Sequence, residues 1–409
     1  MAILDDCAHL HSVNRQTLPV GAKQQCVTTP LPEGFTAYVA NVGVKDDSDD
    51  FTVVLARGEP TSAAVFTQSR FAGPSVLVSR QRRSSAHAVV VISKNANVAT
   101  GQQGLNDSTE ISHLVAKQLG LADDNVLIAS TGVIGRTLPM NHIRTGIAAM
   151  QGHNTTSADD IARAIMTTDT VAKIASATIA GSAARVVGVA KGVGMIEPNM
   201  ATLIALVFTD AAIDPPALDL MLRGAIDRTL NCLSIDTDTS TSDTAIILSS
   251  GVVAGVSHSA FGAALHDVLL SLTQQVARDG EGAEKLIEVI VDGARDHDQA
   301  KRVAKSIVNS PLVKTAVHGA DPNWGRVAMA IGKCSDDTDI NQETVVIRFA
   351  DQEVYPTAVT EVGLEQLSAY MRGDTVRIHV SLNISQGEAT VWGCDLTAGY
   401  VRINADYTT

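Results

Sequence analysis

The sequence predicts a mixed α/β fold in which helices cover stacked or shared sheets. Three observations predict it. Short runs rich in β-branched residues, each bounded by Gly, Pro, Ser or Asp, recur along the chain. Segments with apolar residues at helical spacing alternate with them. No short-period repeat, low-complexity linker or Gly/Pro/Asp-rich boundary divides the chain, so its halves are expected to share a sheet rather than form separate beads. A chain of 409 residues is long enough for two domains or one two-lobed unit with a sizeable core.

Residues 1–32 are polar and irregular and read as an N-terminal arm. Cys7, His9 and His11 lie there, and a chance cluster is the expected reading rather than a metal site. From Phe35 onward, strands are expected over Tyr38–Val42, Phe51–Leu55, Val76–Val78 and Val89–Ile92. Ile111–Leu119 has helical spacing. Val126–Ala129 is a strand that runs into Ser130-Thr-Gly-Val-Ile-Gly135. Ser157 opens a capping-box-like Ser-Ala-Asp-Asp, after which Ile161 and Ile165 share a helix face that ends at Thr167–Thr170. Residues 201–209 read as a buried strand. Pro215-Pro216 begins a helix carrying Leu218, Met221, Leu222 and Ile226. The second half continues with helices over Phe261–Val276 and Asp298–Ile307. Its strands are Leu286–Val291, Val345–Phe349, Val376–Leu382 and Ala389–Trp392.

Composition excludes several classes of function. Lys and Arg number 31 against 44 Asp and Glu, a net charge of −13, which argues against nucleic acid as a partner. The densest basic cluster, Arg80, Arg82 and Arg83, is too short to change that, and at 3% aromatic residues the stacking platforms for single strands are missing. The core must therefore be built from Ala, Val, Ile and Leu. The five cysteines, Cys7, Cys26, Cys232, Cys334 and Cys394, are odd in number and form no CxxC, so reduced thiols in a cytoplasm are expected. Neither a secretory leader nor an apolar run of membrane-spanning length is visible.

Some motifs are present only in outline. Arg185-Val-Val-Gly-Val-Ala190 fits the R-x-x-G-x-A spacing of acetyl-CoA-dependent N-acetyltransferases. There the glycine must open a helix that holds a pyrophosphate, and Gly192, Gly194 and Pro198 make a helix improbable here. Gly192-Val-Gly194 begins a dinucleotide fingerprint, but Glu197 stands at the third glycine. His113, His142, His266 and His379 have no partner at metal-ligand spacing. No cofactor and no metal are expected.

The informative stretch is Lys191-Gly-Val-Gly-Met-Ile-Glu-Pro-Asn-Met-Ala-Thr202, a glycine-flanked loop that enters a buried strand. By pattern alone it also reads as a surface loop whose Thr starts that strand. It resembles the K-G-x-G-M-I-x-P-N-M-A-T signature of the ornithine acetyltransferase family (ArgJ, glutamate N-acetyltransferase). Further blocks resemble the same family in the same order: Ser130–Gly135, Ile165–Thr170, Asp279–Ala283, Ser310–Arg326 and Asn404–Thr409. The resemblance spans residues 35 to 409. Ser234–Asp243 is similar to the version carried by paralogues in secondary-metabolite clusters, such as that of clavulanic acid.

The resemblance implies a two-lobed α-β-β-α sandwich of the self-processing ornithine acetyltransferase/DmpA type. The precursor would cut itself between Ala201 and Thr202, giving chains 1–201 (with 33–201 as the folded half) and 202–409. By family precedent these would associate as α2β2. Thr202 becomes the nucleophile, Thr131 and Gly132 form the oxyanion hole, and Glu281 completes the catalytic set. Substrate contacts carry over to Thr168, Lys191, Thr202, Glu281, Asn404 and Thr409. The implied donor is N-acetylornithine and the acceptor glutamate. His318 and Asn323–Arg326 are assigned to structure.

The chemistry is consistent with these residue types. A threonine hydroxyl needs an adjacent base. An internal Thr has only an amide nitrogen, whereas an N-terminal one has an amine of pKa about 7.7–8.0. Cleavage therefore creates the base. Lys191 suits a carboxylate and Glu281 an ammonium group. A hydrolase or aminopeptidase on the same fold, a processed binding protein, and an enzyme that also uses acetyl-CoA remain alternative readings.

Overall fold

The computed structural model describes residues 28–151, 154–197 and 203–406. In chain order the first part contains β1 (Phe35–Ala40), β2 (Phe51–Ala56), β3 (Thr61–Phe66), α1 (Pro74–Arg80), β4 (Ala88–Ile92), α2 (Gly101–Leu119), β5 (Val126–Ser130), α3 (Met140–Ala149), α4 (Ala158–Ala164), β6 (Lys173–Thr178) and β7 (Arg185–Lys191). The second part contains β8 (Ile204–Ala211), α5 (Pro215–Arg228), β9 (Thr244–Val253), α6 (His258–Arg278), β10 (Leu286–Ala294), α7 (His297–Val308), α8 (Pro311–His318), α9 (Trp324–Gly332), β11 (Val346–Phe349), β12 (Gln352–Tyr355), α10 (Glu361–Met371), β13 (Thr375–Ser381), β14 (Gly387–Cys394) and α11 (Ala398–Asp406).

The strands form three sheets: β1-β2-β4-β5, β3-β9-β8-β7-β6 and β12-β11-β13-β10-β14. The first two stack face to face. Ile204, Leu206 and Phe208 of β8, with Val187, Val189, Ile246 and Leu248, meet Phe35, Val54, Val89, Val91 and Leu127 of the first sheet. The alternate residues Ala205, Val207, Val186, Ala245 and Ile247 face Leu218 and Leu222 of α5 and Leu265, Val268 and Leu272 of α6. Both faces of β8 are thus buried, which is why it reads as an uninterrupted apolar run. Beyond the first sheet, Val53, Val90 and Ile128 pack on Ile111, Val115 and Ile143 of α2 and α3. The layers are α-β-β-α, and the third sheet with its helices extends the α5/α6 core into a second lobe.

The halves share a sheet, as the missing linker predicts. β3, β7 and β6 precede the expected cleavage position and β8 and β9 follow it, yet all five are hydrogen-bonded in one sheet. The expected strand at Val76–Val78 is instead the middle of α1. Pro74 sits at the first helical position and presets φ, and Val76 and Val78 are both buried, one against each neighbouring core. In so short a helix, burial on several sides erases the periodicity that would have separated it from a strand. Arg185–Ala190 lies on β7 and opens no helix. Strands β3, β6, β7, β9 and β12 carried no expectation, nor did α3 and α8 to α11. Cys232, Cys334 and Cys394 are free thiols. Cys7, His9, His11 and Cys26 lie outside the described residues.

Candidate active site

The turn after β5 is held from below. Ser130 Oγ is 2.6 Å from Ser75 Oγ and donates to the Ala96 carbonyl at 2.8 Å. The Thr131 amide donates to Ile92 O at 3.0 Å and the Val133 amide to Lys94 O at 3.3 Å. Between them Gly132 has φ +128°, and an added Cβ would lie 2.2 Å from the Lys94 carbonyl carbon, so only glycine fits. The Gly132 amide meets no acceptor among the described residues. Lys191 Nζ donates to Thr131 Oγ1 at 3.1 Å. That hydroxyl oxygen is used as an acceptor, which leaves its hydrogen to donate elsewhere. The turn offers one O–H and one N–H on consecutive residues.

Lys191 ends β7 and pairs in register with Ile204 of β8. The twelve-residue signature is therefore the connection between two neighbouring antiparallel strands. Its described part is held tightly. Asp169 Oδ1 accepts from the Gly192 amide at 2.7 Å. Asp236 accepts from the Met195 and Ile196 amides, each at 2.7 Å. Glu197 donates its amide to Asp238 O at 2.9 Å and accepts from Ser234 Oγ at 2.8 Å. Ala201 and Thr202 lie outside the described residues, as does Thr409.

Glu281 approaches the same loop. Its amide donates to Val193 O at 2.8 Å, and a Cβ on Gly194 would come within 2.5 Å of its carboxylate. Asn404 of α11 donates to Glu281 Oε2 at 2.8 Å. Asn404 thus sits on a helix beside the loop. Thr168 is half-buried, makes no side-chain hydrogen bond to a described residue, and enters through its neighbour Asp169. Thr131, Lys191, Glu281 and Asn404 are brought together, and Thr168 borders them.

Electrostatics sharpen the site. Burial pushes the Lys191 ammonium below the ordinary lysine range, while the Asp169 carboxylate opposes that shift. Burial pushes Asp243 well above the ordinary carboxylate value, with Lys191 acting in the other direction. Asp243 Oδ2 is buried and has no hydrogen-bond partner among the described residues. It lines a cavity of about 30 Å³ together with Thr131, Lys191, Gly192, Gly194 and Leu203. Asp243 and Asp236 lie in the Ser234–Asp243 segment that the sequence marked as unusual, but only their burial and contacts show their place in the site. One cluster among the described residues has the spacing to hold a metal ion: Glu284, His318 and Asp395. His318 Nδ1 lies 3.0 Å from Asp395 Oδ2, an ion-pair geometry that already satisfies it.

A hydroxyl and an amide presented side by side, next to a half-buried cation and a carboxylate, suit an acyltransferase. The comparisons agree: the chain matches the ArgJ family over residues 36–409, and it belongs to that family. It is 55% identical over 382 residues to the arginine biosynthesis bifunctional protein ArgJ 2 of Nostoc sp., covering 92% of this chain and 98% of that one. It is 52% identical over 391 residues to the glutamate N-acetyltransferase Oat2 of Streptomyces clavuligerus, covering 93% and 99%. Among solved structures it is similar to the arginine biosynthesis bifunctional protein ArgJ of Bacillus halodurans, at 43% identity and a TM-score of 0.47 over 49% of this chain and 98% of that one.

Proposed function

We propose that this protein cuts itself between Ala201 and Thr202 and then moves an acetyl group from N2-acetyl-L-ornithine to L-glutamate through an acetyl-Thr202 intermediate. The supporting observation is the alignment Lys191 Nζ–H···Oγ1 Thr131 beside the Gly132 amide, which meets no acceptor among the described residues, at the base of the connection that contains Thr202. The names of the relatives, glutamate N-acetyltransferase and arginine biosynthesis bifunctional protein, support the substrates.

In self-cleavage the Thr202 hydroxyl attacks the Ala201 carbonyl and the peptide C–N bond breaks, leaving an ester and a free amine. Water then hydrolyses the ester, releasing the Ala201 carboxylate and restoring the hydroxyl. In transfer, the Thr202 amine takes the hydroxyl proton as Oγ attacks the donor's acetyl carbonyl. Thr131 Oγ1–H and the Gly132 N–H stabilise the oxyanion, each worth about 3–4 kcal/mol. The amine returns the proton to the departing ornithine nitrogen, and glutamate enters to take the acetyl group. Lys191 receives a substrate carboxylate and Glu281, steadied by Asn404, an ammonium group. Thr168 contacts substrate in this reading, and Thr409, outside the described residues, is assigned the same role by the family resemblance. An α2β2 assembly in a cytoplasm and a role in secondary metabolism belong to the same proposal; the last is supported by the Streptomyces clavuligerus relative.

Intact mass and N-terminal sequencing test the first step, with two fragments expected and one of them beginning at Thr202. Thr202→Ala should leave one uncut, inactive chain. Product analysis with and without glutamate tests the second step; acetate release that ignores glutamate would identify a hydrolase instead.

A further inference from the structure

Lys173 is the largest charged side chain wholly withdrawn from solvent among the described residues, and no step above uses it. Its ammonium lies 2.7 Å from Asp169 Oδ1, 2.5 Å from Asp279 Oδ2 and 3.4 Å from the Val171 carbonyl. Both carboxylates reach further. Asp169 Oδ1 also accepts from the Gly192 amide at 2.7 Å and Oδ2 from the Thr167 amide at 3.1 Å. Asp279 accepts from the Thr170 amide at 3.1 Å and from the Thr170 hydroxyl. One buried cation therefore ties together the turn that carries Thr168, the residue after Lys191, and the end of α6 two residues before Glu281.

A buried ion triad is an inefficient way to stabilise a fold, because desolvation consumes most of its attraction. It is an efficient way to fix geometry, since removing any member strands a buried charge. Here the geometry fixed is the placement of one cation and one anion at the mouth of the signature loop. We propose that Lys173, Asp169 and Asp279 are positioning residues that set Lys191 and Glu281 to receive the oppositely charged ends of an amino-acid substrate. This rests on the substrate reading above. The charged groups facing Lys191 are Asp169 after α4, Lys173 at the start of β6, Asp243 before β9 and Glu281 after α6. Burial alone would raise the Asp169 carboxyl, but Lys191 and Lys173 hold it below its ordinary value, so it is ionised and available to Lys191. Asp279 bears on Lys191 less than Asp169 does and is tied to Lys173 instead.

The two carboxylates are therefore separable by pH. In the mature enzyme, Asp169→Asn should raise KM for N-acetylornithine about tenfold, keep kcat within about threefold, and start the alkaline rise in KM about one pH unit below that of the wild type. Asp279→Asn should raise KM comparably and leave the alkaline limb where it was. Variants that lose thermal stability while KM and its pH profile stay at wild-type values would overturn the proposal, as would an identical pH shift in both. Should Asp169→Asn fail to mature, Asp279→Asn still reads the positioning claim through KM. A wild-type protein that transfers no acetyl group would sink the parent reading instead; ornithine binding measured by calorimetry in the same variants then decides this one.

Discussion

In the proposed mechanism Thr131 supplies a hydrogen whose direction is set by Lys191, so removing the hydroxyl should act on the transition state more than on binding. Thr131→Ala in the processed enzyme is expected to lower kcat about 10²–10³-fold with little change in KM, measured by steady-state kinetics. Asp243 makes a different kind of prediction. Its folded-state value is raised, so the native state holds the proton more tightly than the unfolded chain, and stability falls as pH rises from the ordinary value of 3.8 toward the raised one. Asp243→Asn removes that penalty. The variant should melt higher than wild type at pH 7, and the gain should vanish near pH 4 in thermal scans. Thr131, Gly132, Lys191, Glu281 and Asn404 were legible in the sequence because each lies in a recognisable string. Lys173 was not, because a lysine in an apolar segment gives no sign of what faces it, and although Asp243 ends a polar string that the sequence picked out, nothing in that string shows that it is buried.

At the level of elements, β8 and β9 show what apolar runs conceal. Phe208 is fully buried and meets Phe35 of β1 with ring centroids 5.4 Å apart. Phe208→Ala should cost about 3–5 kcal/mol, read as a lower urea midpoint at unchanged slope. The N-cap at Ser157 was legible and is realised, with Ser157 Oγ accepting from the Asp159 amide, but the return bond of a capping box is replaced: the Ser157 amide donates to Thr155 Oγ1 rather than to Asp160. Pro215 opens α5 as its position requires, and Asp214 caps it. Where prediction missed, the causes differ. Strand β6, Lys-Ile-Ala-Ser-Ala-Thr, lacks the β-branched density of a typical strand, β7 has three valines but was weighed only as a cofactor motif, and α1 is too short and too enclosed to display a face.

The assembly of the whole molecule bears on cleavage. Lys191 and Ile204 are Cα partners in the β7–β8 ladder, so a cut within the connecting loop removes no rung of the sheet. β3 with β9 adds a second ladder across the same division, from Thr61↔Ser249 to Phe66↔Thr244. The two fragments should therefore co-elute on size exclusion under native conditions and separate only in denaturant. Fragments that part in native buffer would mean that the sheet is not the joint. No helix among the described residues is long and apolar enough to cross a membrane.

The sequence by itself determined the mixed α/β class, the acyl-transfer chemistry and most of the residues expected to carry it. Those properties are local: periodicity reports that a face is buried, and a signature string keeps its chemistry wherever the chain goes. Tertiary structure decided what each face is buried against, that Val76–Val78 is helical, and that strands from both sides of the expected cut form one sheet. It also decided which charges face one another at the site. Asp169 and Asp279 are separated by more than a hundred residues in sequence, yet they share one buried ammonium. The electrostatic environment of a group depends on its neighbours in space and on its distance from water, and neither is written in the order of residues.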